Sequence, residues 1–333
     1  MHQPGSSFSP LRRISLSVLA AAALLVTLPV AAQGDNYPNK AITIVVAYPP
    51  GGSTDLNGRT LGAELSKKLG VPVIIQNLGG AGGAIGAQKV ANAAADGYTL
   101  LVGASNEIAI SRLVSSAVKY ELKDFTPIGL IAAQPMVLVA SQKSGVKNVA
   151  QFISLVKQNP GKYSYGSSGA GTALHLAGEM LNDQGGLLMT HIPYRGVAPL
   201  ANDLLGNNID FGVFVLSSGL PHIRSGRVVA LGTTETKRSP LTADIPALAE
   251  TPKLKGIDIN IWFALMGPAH LPGPVLAKLK KALNESLQTA ELRKKLEDSG
   301  STVSPLNVDM TKFLNQESAK YQRIVDFAKI KNE

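Results

Sequence analysis

Short apolar runs alternate along this chain with stretches whose apolar residues recur every three or four positions. That pattern predicts a strand over 42–47, a helix over 56–69, a strand over 71–76, a helix over 85–95 and a strand over 98–102. Strands separated by single helices are the order of parallel βαβ units. Two apolar runs, 128–132 and 136–140, are split by Gln134-Pro135, which predicts a crossing between lobes at that point. A second series follows, with helix 149–158, a stop at Asn159-Pro160-Gly161, strand 162–165, helix 172–182, strand 187–191, helix 198–205, and strands 209–215 and 228–233. An apolar run at 257–266 leads to helical patterns over 275–289, 290–299 and 310–328. No unit of solenoid length repeats. The fold class is α/β, with two lobes meeting at a cleft.

The first residues belong to another category. Arg12-Arg13 precede an apolar, small-residue stretch over 14–30, and Val30-Ala31-Ala32 offers a cleavage site, so 1–32 reads as an export leader cut near Ala32. A membrane anchor is the competing reading, but the stretch is short and ends at small residues rather than at a basic stop. The arginine pair resembles a twin-arginine signal only loosely. About 300 residues remain, enough for two domains. The chain has no cysteine, which removes disulfides, thiol nucleophiles and lipidated cysteine anchors. Subtracting the two leader arginines from the formal +9 leaves +7, a field that draws anions. The basic residues are scattered among acids, as in 291–298 (ELRKKLED), and form no stripe or aromatic platform, so nucleic-acid binding is excluded.

One arrangement occurs twice: a strand, a glycine-rich loop and the start of a helix. The first loop is 48–54 (YPPGGST) before a helical pattern opening at Asp55, and the second is 166–171 (GSSGAG) before one opening at Thr172. Free backbone N–H groups and the positive end of a helix converge at such a loop, which holds an anion without a basic side chain. Two of them, one per lobe, make a clamp. The same spacing also serves a plain strand-to-helix turn with a good cap from Ser53, Thr54 or Asp55.

Other motifs fall short of a chemistry. Residues 77–86 (NLGGAGGAIG) approach a dinucleotide turn, but Ile85 stands where the third glycine belongs, and the next strand ends without the acid that holds a ribose. Around Ser168 the nucleophile-elbow spacing fails by one residue, and His175 lies on the following helix, placed for local packing rather than as a triad base. The five histidines are dispersed, so no metal site is expected. His191 reads as a structural loop residue and Trp262 as a packing residue.

The ordered series 49–55 (PPGGSTD), 77–103 (NLGGAGGAIGAQKVANAAADGYTLLVG), 166–181, 191–211 (HIPYRGVAPLANDLLGNNIDF), 220–234, 245–250 and 267–279 closely resembles the periplasmic solute-binding proteins of tripartite tricarboxylate transporters, the Bug-type family. The resemblance runs from about Tyr37 onward. It implies a two-lobed Venus-flytrap fold of type II, with lobe 1 formed by 37–134 plus 260–333 and lobe 2 by 135–259. It also implies a periplasmic receptor, not an enzyme, that takes a small organic carboxylate, needs no cofactor, acts as a monomer and is read by a tripartite membrane transporter. Carried over residue by residue, the ligand contacts are Tyr48, Gly52, Ser53, Thr54 and Asp55 in the first loop, and Ser167, Ser168, Gly169, Ala170 and Thr172 in the second. Ser105 follows the third strand at a position that faces the cleft in relatives. Where relatives often carry an acid that meets a ligand amine, this chain has Phe214-Val215, and an ammonium buried unpaired beside Phe214 is costly. The expected ligand is therefore a carboxylate without an amine. The alternative is an α/β enzyme, hydrolase-like or nucleotide-dependent, working on a carboxylate-containing molecule in a cleft of the same design.

Overall fold

In the computed structural model the described residues are 1–2, 36–327 and 330. The leader reading therefore lies outside the described residues, apart from the first two. Contacts group the chain into Met1–Tyr37 and Pro38–Glu333, and every element below belongs to the second unit.

The chain opens with β1 (Ile42–Val46), α1 (Ser53–Leu69), β2 (Val73–Asn77), α2 (Ala84–Ala91) and β3 (Thr99–Ala104). β1 lies between β2 and β3 and is parallel to both. Its side chains Ile42, Ile44, Val45 and Val46 are all fully buried, as a strand covered on both faces requires. β2 alternates half-buried and exposed residues because it is the sheet edge. After β3 comes a wide π turn, Asn106–Ile110, continuing into the short helix α3 (Ser111–Val114).

β4 (Phe125–Ser141) departs from the expectation of two split runs: it is one strand of 17 residues that passes through Pro135. Up to Pro135 it pairs with β9, and from Met136 it pairs with β7 and β8. A proline cannot donate to a ladder, and it is tolerated here because the strand is changing partners. The second half comprises α4 (Val149–Gln158), β5 (Ser164–Ser167), α5 (Ala173–Gly185), β6 (Thr190–Pro193), α6 (Val197–Leu205), β7 (Phe211–Val215), α7 (Leu216–Arg224) and β8 (Val228–Thr233). β5 is parallel to β6 and β7.

The chain then returns. β9 (Asn260–Pro268) inserts antiparallel between β3 and β4, followed by α8 (Gly273–Leu287), α9 (Ala290–Asp298), β10 (Thr302–Val303) on β4, and α10 (Met310–Phe327). α10 is tied to β9 by Trp262, whose Nε1 donates to Glu317 at 2.8 Å and whose ring meets Phe313 edge-on, and by Tyr321, which donates to the Asn260 carbonyl at 2.9 Å. Trp262 is thus a packing residue.

The strand order is β2–β1–β3–β9–β4–β7–β5–β6, with β4 shared between the two halves. The second crossing runs from β8 to β9. There the Thr234 hydroxyl donates to the Ile259 carbonyl at 2.6 Å and accepts from the Met136 N–H at 2.9 Å, binding the two crossing segments together. Gln134 is 1% exposed and reaches both ways: its amide donates to Ser301 and its carbonyl accepts from the Ser217 N–H.

Candidate functional site

The cleft between the halves holds a cavity of about 470 Å³, counted with the space open to solvent at its mouth. The first loop forms one wall. α1 begins at Ser53 with Gly52 as an extended N-cap (φ −82°, ψ 172°) and no side chain capping it. The backbone N–H groups of Ser53, Thr54 and Asp55 meet no acceptor among the described residues. Four such orphan donors are intrinsic to every helix start. Tyr48, Gly52, Ser53 and Thr54 line the cavity.

Asp55 does not line it. Its carboxylate accepts from the Gly51 N–H at 2.9 Å, from Arg59 Nε at 2.9 Å and from Asn77 Nδ2 at 2.8 Å. Burial alone would raise this carboxyl, but the bonds from Arg59, Gly51 and Asn77 overcome it and hold the group below its ordinary range. Asp55 therefore shapes the loop by holding the Gly51 N–H (φ +88°) on its carboxylate, while the N–H groups of Ser53, Thr54 and Asp55 are left without an acceptor among the described residues.

The second loop spends its donors differently. The Gly169 N–H goes to Ser167 Oγ, the Gly171 N–H to His175 Nδ1 at 3.0 Å, and the His175 N–H to the Thr172 hydroxyl. The N–H groups of Ser168, Ala170 and Leu174 keep no acceptor among the described residues. Of the expected residues here, Ser168 lines the cavity, while Ser167, Gly169, Ala170 and Thr172 are not part of its lining and build the loop. His175 is the local hydrogen-bonding residue its place on the helix implied. It stacks on His191 at 3.9 Å, and Tyr165 donates to Glu179 Oε1 at 2.6 Å beside it. Ser167 Oγ sits 2.7 Å from His191 Nε2, a spacing that resembles a nucleophile and base, yet Ser167 is fully buried and does not line the cavity. Burial, aided by His175, drives His191 down to about 3, which keeps the ring neutral.

Two expected contacts are displaced by one residue. Ser105 is fully buried at the end of β3, and it is Asn106, opening the π turn, that lines the cavity. Phe214 points away into the core formed with Val137, Val139, Leu200 and Leu204, while Val215 lines the cavity. Neighbouring residues of a strand face opposite sides, so the wall at this position is Val215.

Sequence reasoning missed a third helix start. α6 opens after Gly196 (φ +107°), and Arg195, Gly196, Val197 and Ala198 line the cavity. The signal was present in 191–197 (HIPYRGV), the same order of strand, glycine and helix as the two loops recognised. Among the described residues, Arg195 is the one charged side chain of the lining, and no Asp or Glu belongs to it. Its guanidinium has no ion-pair partner among the described residues. Leu174, Val197, Val215 and Ile261 supply apolar wall. Chemically, the site offers backbone donors from three helix starts, one cation and an apolar middle: a receptacle for an anion with a hydrocarbon body.

Comparison with known proteins agrees with this fold. Residues 58–330 match the profile of the tripartite tricarboxylate transporter family receptor, TctC. Protein BugT of Bordetella pertussis is 32% identical over 294 residues, covering 87% of this chain and 90% of BugT. Among solved structures, the periplasmic binding protein BugD superposes with a TM-score of 0.84 at 32% identity, over 89% of this chain and all of BugD. A protein of R. palustris, Rpa4515 with adipate, superposes with a TM-score of 0.86 at 30% identity, over 89% of this chain and all of that one. Fold, cleft and sequence together place this chain in the family of tripartite tricarboxylate transporter receptors, the Bug-type periplasmic binding proteins with two lobes.

Proposed function

We propose that this protein is an exported receptor, not an enzyme, that captures a small organic carboxylate lacking an amine and presents it to a membrane transporter. The carrying observation is the lining, which among the described residues offers donors from three helix starts, one guanidinium and no carboxylate. One ligand carboxylate takes the N–H groups of Ser53 and Thr54 from one side and that of Ser168 from the other, with Tyr48 and Gly52 framing it. The apolar middle accepts a methylene chain, and Arg195 meets a second anionic group at the mouth. An amine in the middle would face Val215 and Ile261 with nothing to pair it. The neighbour solved with adipate, a dicarboxylate with a methylene body, supports this ligand class.

Lobe 1 is 37–134 with 260–333, lobe 2 is 135–259, and closure bends the crossings at Gln134-Pro135 and 257–261. The ligand gains bonds from both lobes only when they are shut, which supplies the differential affinity that drives closure. The leader 1–32 is removed near Ala32, and the receptor acts as a monomer in the periplasm.

A thermal-shift screen of the purified receptor against adipate, shorter dicarboxylates, aromatic monocarboxylates and amino acids tests this. A binder at 100 times its dissociation constant adds about 2.7 kcal/mol of stability. Shifts with non-amino carboxylates are expected. Shifts with amino acids alone would discard the ligand class, and hydrolysis of carboxylate esters would discard the receptor reading.

A further inference from the structure

Asn106 carries a contact that the receptor reading does not use. Its side chain is 2% exposed, and it belongs to the π turn of the first lobe. Its Oδ1 accepts the backbone N–H of Ala173, the first residue of α5 in the second lobe, at 2.7 Å. Its Nδ2 donates to the Tyr48 hydroxyl at 2.9 Å, and that hydroxyl donates to the Gly82 carbonyl at 2.7 Å. The amide has one orientation, because the Ala173 N–H requires the oxygen end and Tyr48, already donating, requires the nitrogen end. The lobes press together at a second point beside it: a Cβ on Gly171 would come within 2.2 Å of Val114 Cγ2.

From this geometry we infer that Asn106 is an interlobe positioning residue, which caps α5 across the cleft and holds the two loops at their closed spacing without help from a solute. Both partners of the Asn106–Ala173 bond belong to the protein. The closed arrangement is therefore populated before a carboxylate arrives, and the solute selects it. Tyr48 serves as the brace: it fixes the amide from the first loop, so the position of the tie and that of the Ser53 and Thr54 donors are set together. The bond joins an uncharged amide to a helix-start N–H, and its net worth corresponds to a five- to tenfold bias toward the closed form. This inference rests on the receptor reading for its purpose, though not for its test.

The chain has no native cysteine, so nitroxide labels at K68C on α1 and S154C on α4, both exposed, report the interlobe distance without background. The measurement is made by pulsed electron resonance with no solute present, on the parent, N106A and A173P. A173P removes the donor from the other side of the cleft. Ala173 is the first helical residue after an extended Thr172 (ψ 162°), where proline fits a helix. Circular dichroism establishes that each variant is folded. The expected result is a short-distance population in the parent whose ratio to the long-distance one falls five- to tenfold in both variants. Equal populations in all three overturn the inference. So does a fall in N106A alone, which traces the effect to Tyr48 rather than to the helix. The carboxylate screen on the parent separates the two readings: no shift with any carboxylate removes the receptor assignment and leaves the labelled distances standing.

Discussion

Replacing Ser53 with proline deletes one backbone donor and little else. Ser53 is the first residue of α1, and the extended Gly52 before it (φ −82°, ψ 172°) has the backbone that precedes proline comfortably. Proline is favoured at this helix position because its fixed φ suits the first turn and its missing N–H had no helical partner. The Ser53 N–H has no acceptor among the described residues, so folding loses no internal bond, and stability should stay within about 0.5 kcal/mol of the parent. Binding should not. A hydrogen bond to a charged group is worth about 1.5–3 kcal/mol, and each 1.4 kcal/mol is about tenfold in affinity. Adipate should therefore bind S53P roughly 10- to 150-fold more weakly, read by isothermal titration alongside a thermal melt without solute. S53A retains the N–H and loses only the hydroxyl, so it should stay within about fivefold of the parent, the worth of one neutral hydrogen bond. If S53P binds adipate within twofold of the parent while melting normally, the first loop does not hold the carboxylate through its backbone.

Three further outcomes follow from the same geometry. V215D places a carboxylate on an otherwise acid-free wall; it should weaken dicarboxylate binding at least about tenfold and shift the thermal screen toward amino-bearing solutes, and unaltered selectivity would show that Val215 is not part of the ligand wall. Half-buried His191 and buried Glu107 should tilt stability with pH in opposite directions. His191, held down to about 3 by burial, is neutral in the fold but protonates near pH 6.5 when unfolded, so its contribution is whole above pH 6.5 and drains as pH falls toward 3. Glu107, pushed up to about 8 by burial, is protonated in the fold but ionises near pH 4.5 when unfolded, so its contribution is whole below that and drains as pH rises through 8. Melting profiles of H191N and E107Q should flatten the acid and alkaline limbs respectively, and parallel profiles would refute both assignments. G178A drives a Cβ to 2.0 Å from the Tyr165 ring, which is fully buried and tied to Glu179, so urea unfolding should register a loss of about 1–3 kcal/mol or more; an unchanged midpoint would show that Tyr165 has room to move.

Periodicity made most elements legible, because each helix buries one face and the central strands of each sheet are apolar throughout. α4, β8 and the strand–helix alternation stand close to where the pattern puts them. α7 was not legible: the pattern gave no element between 215 and 228, where Ser217, Ser218, Gly219 and Pro221 interrupt it, and burial of Leu216 and Leu220 holds the helix. β4 read as two strands because proline breaks ladders, and the fold places Pro135 where the ladder changes partner. At the site, the loops were legible from their glycines, whereas the facing of individual side chains was not. A slip of one residue separates Phe214 from Val215 and Ser105 from Asn106, and in a strand or tight turn one residue reverses the side presented. The hydrogen bonds that consume Gly169 and Gly171 come from Ser167 and His175, so which N–H groups remain depends on rotamers that spacing does not encode.

The place of β9 sets an order of assembly. It lies between β3 and β4 and pairs with both, yet more than a hundred residues separate it from either. A chain that emerges N-terminus first presents β1, β2 and β3 while the space beside β3 is still unfilled, and an unpaired strand edge is a template for aggregation. β5, β6, β7 and β8, by contrast, arrive as one run, and β7 and β8 find their β4 partner already made. The middle of the sequence thus completes itself first, and the beginning waits for the end. Truncation after residue 259 should leave a soluble core attached to an adhesive, half-built N-terminal sheet, and a newly made chain would need a chaperone's protection for as long as that seam stays open.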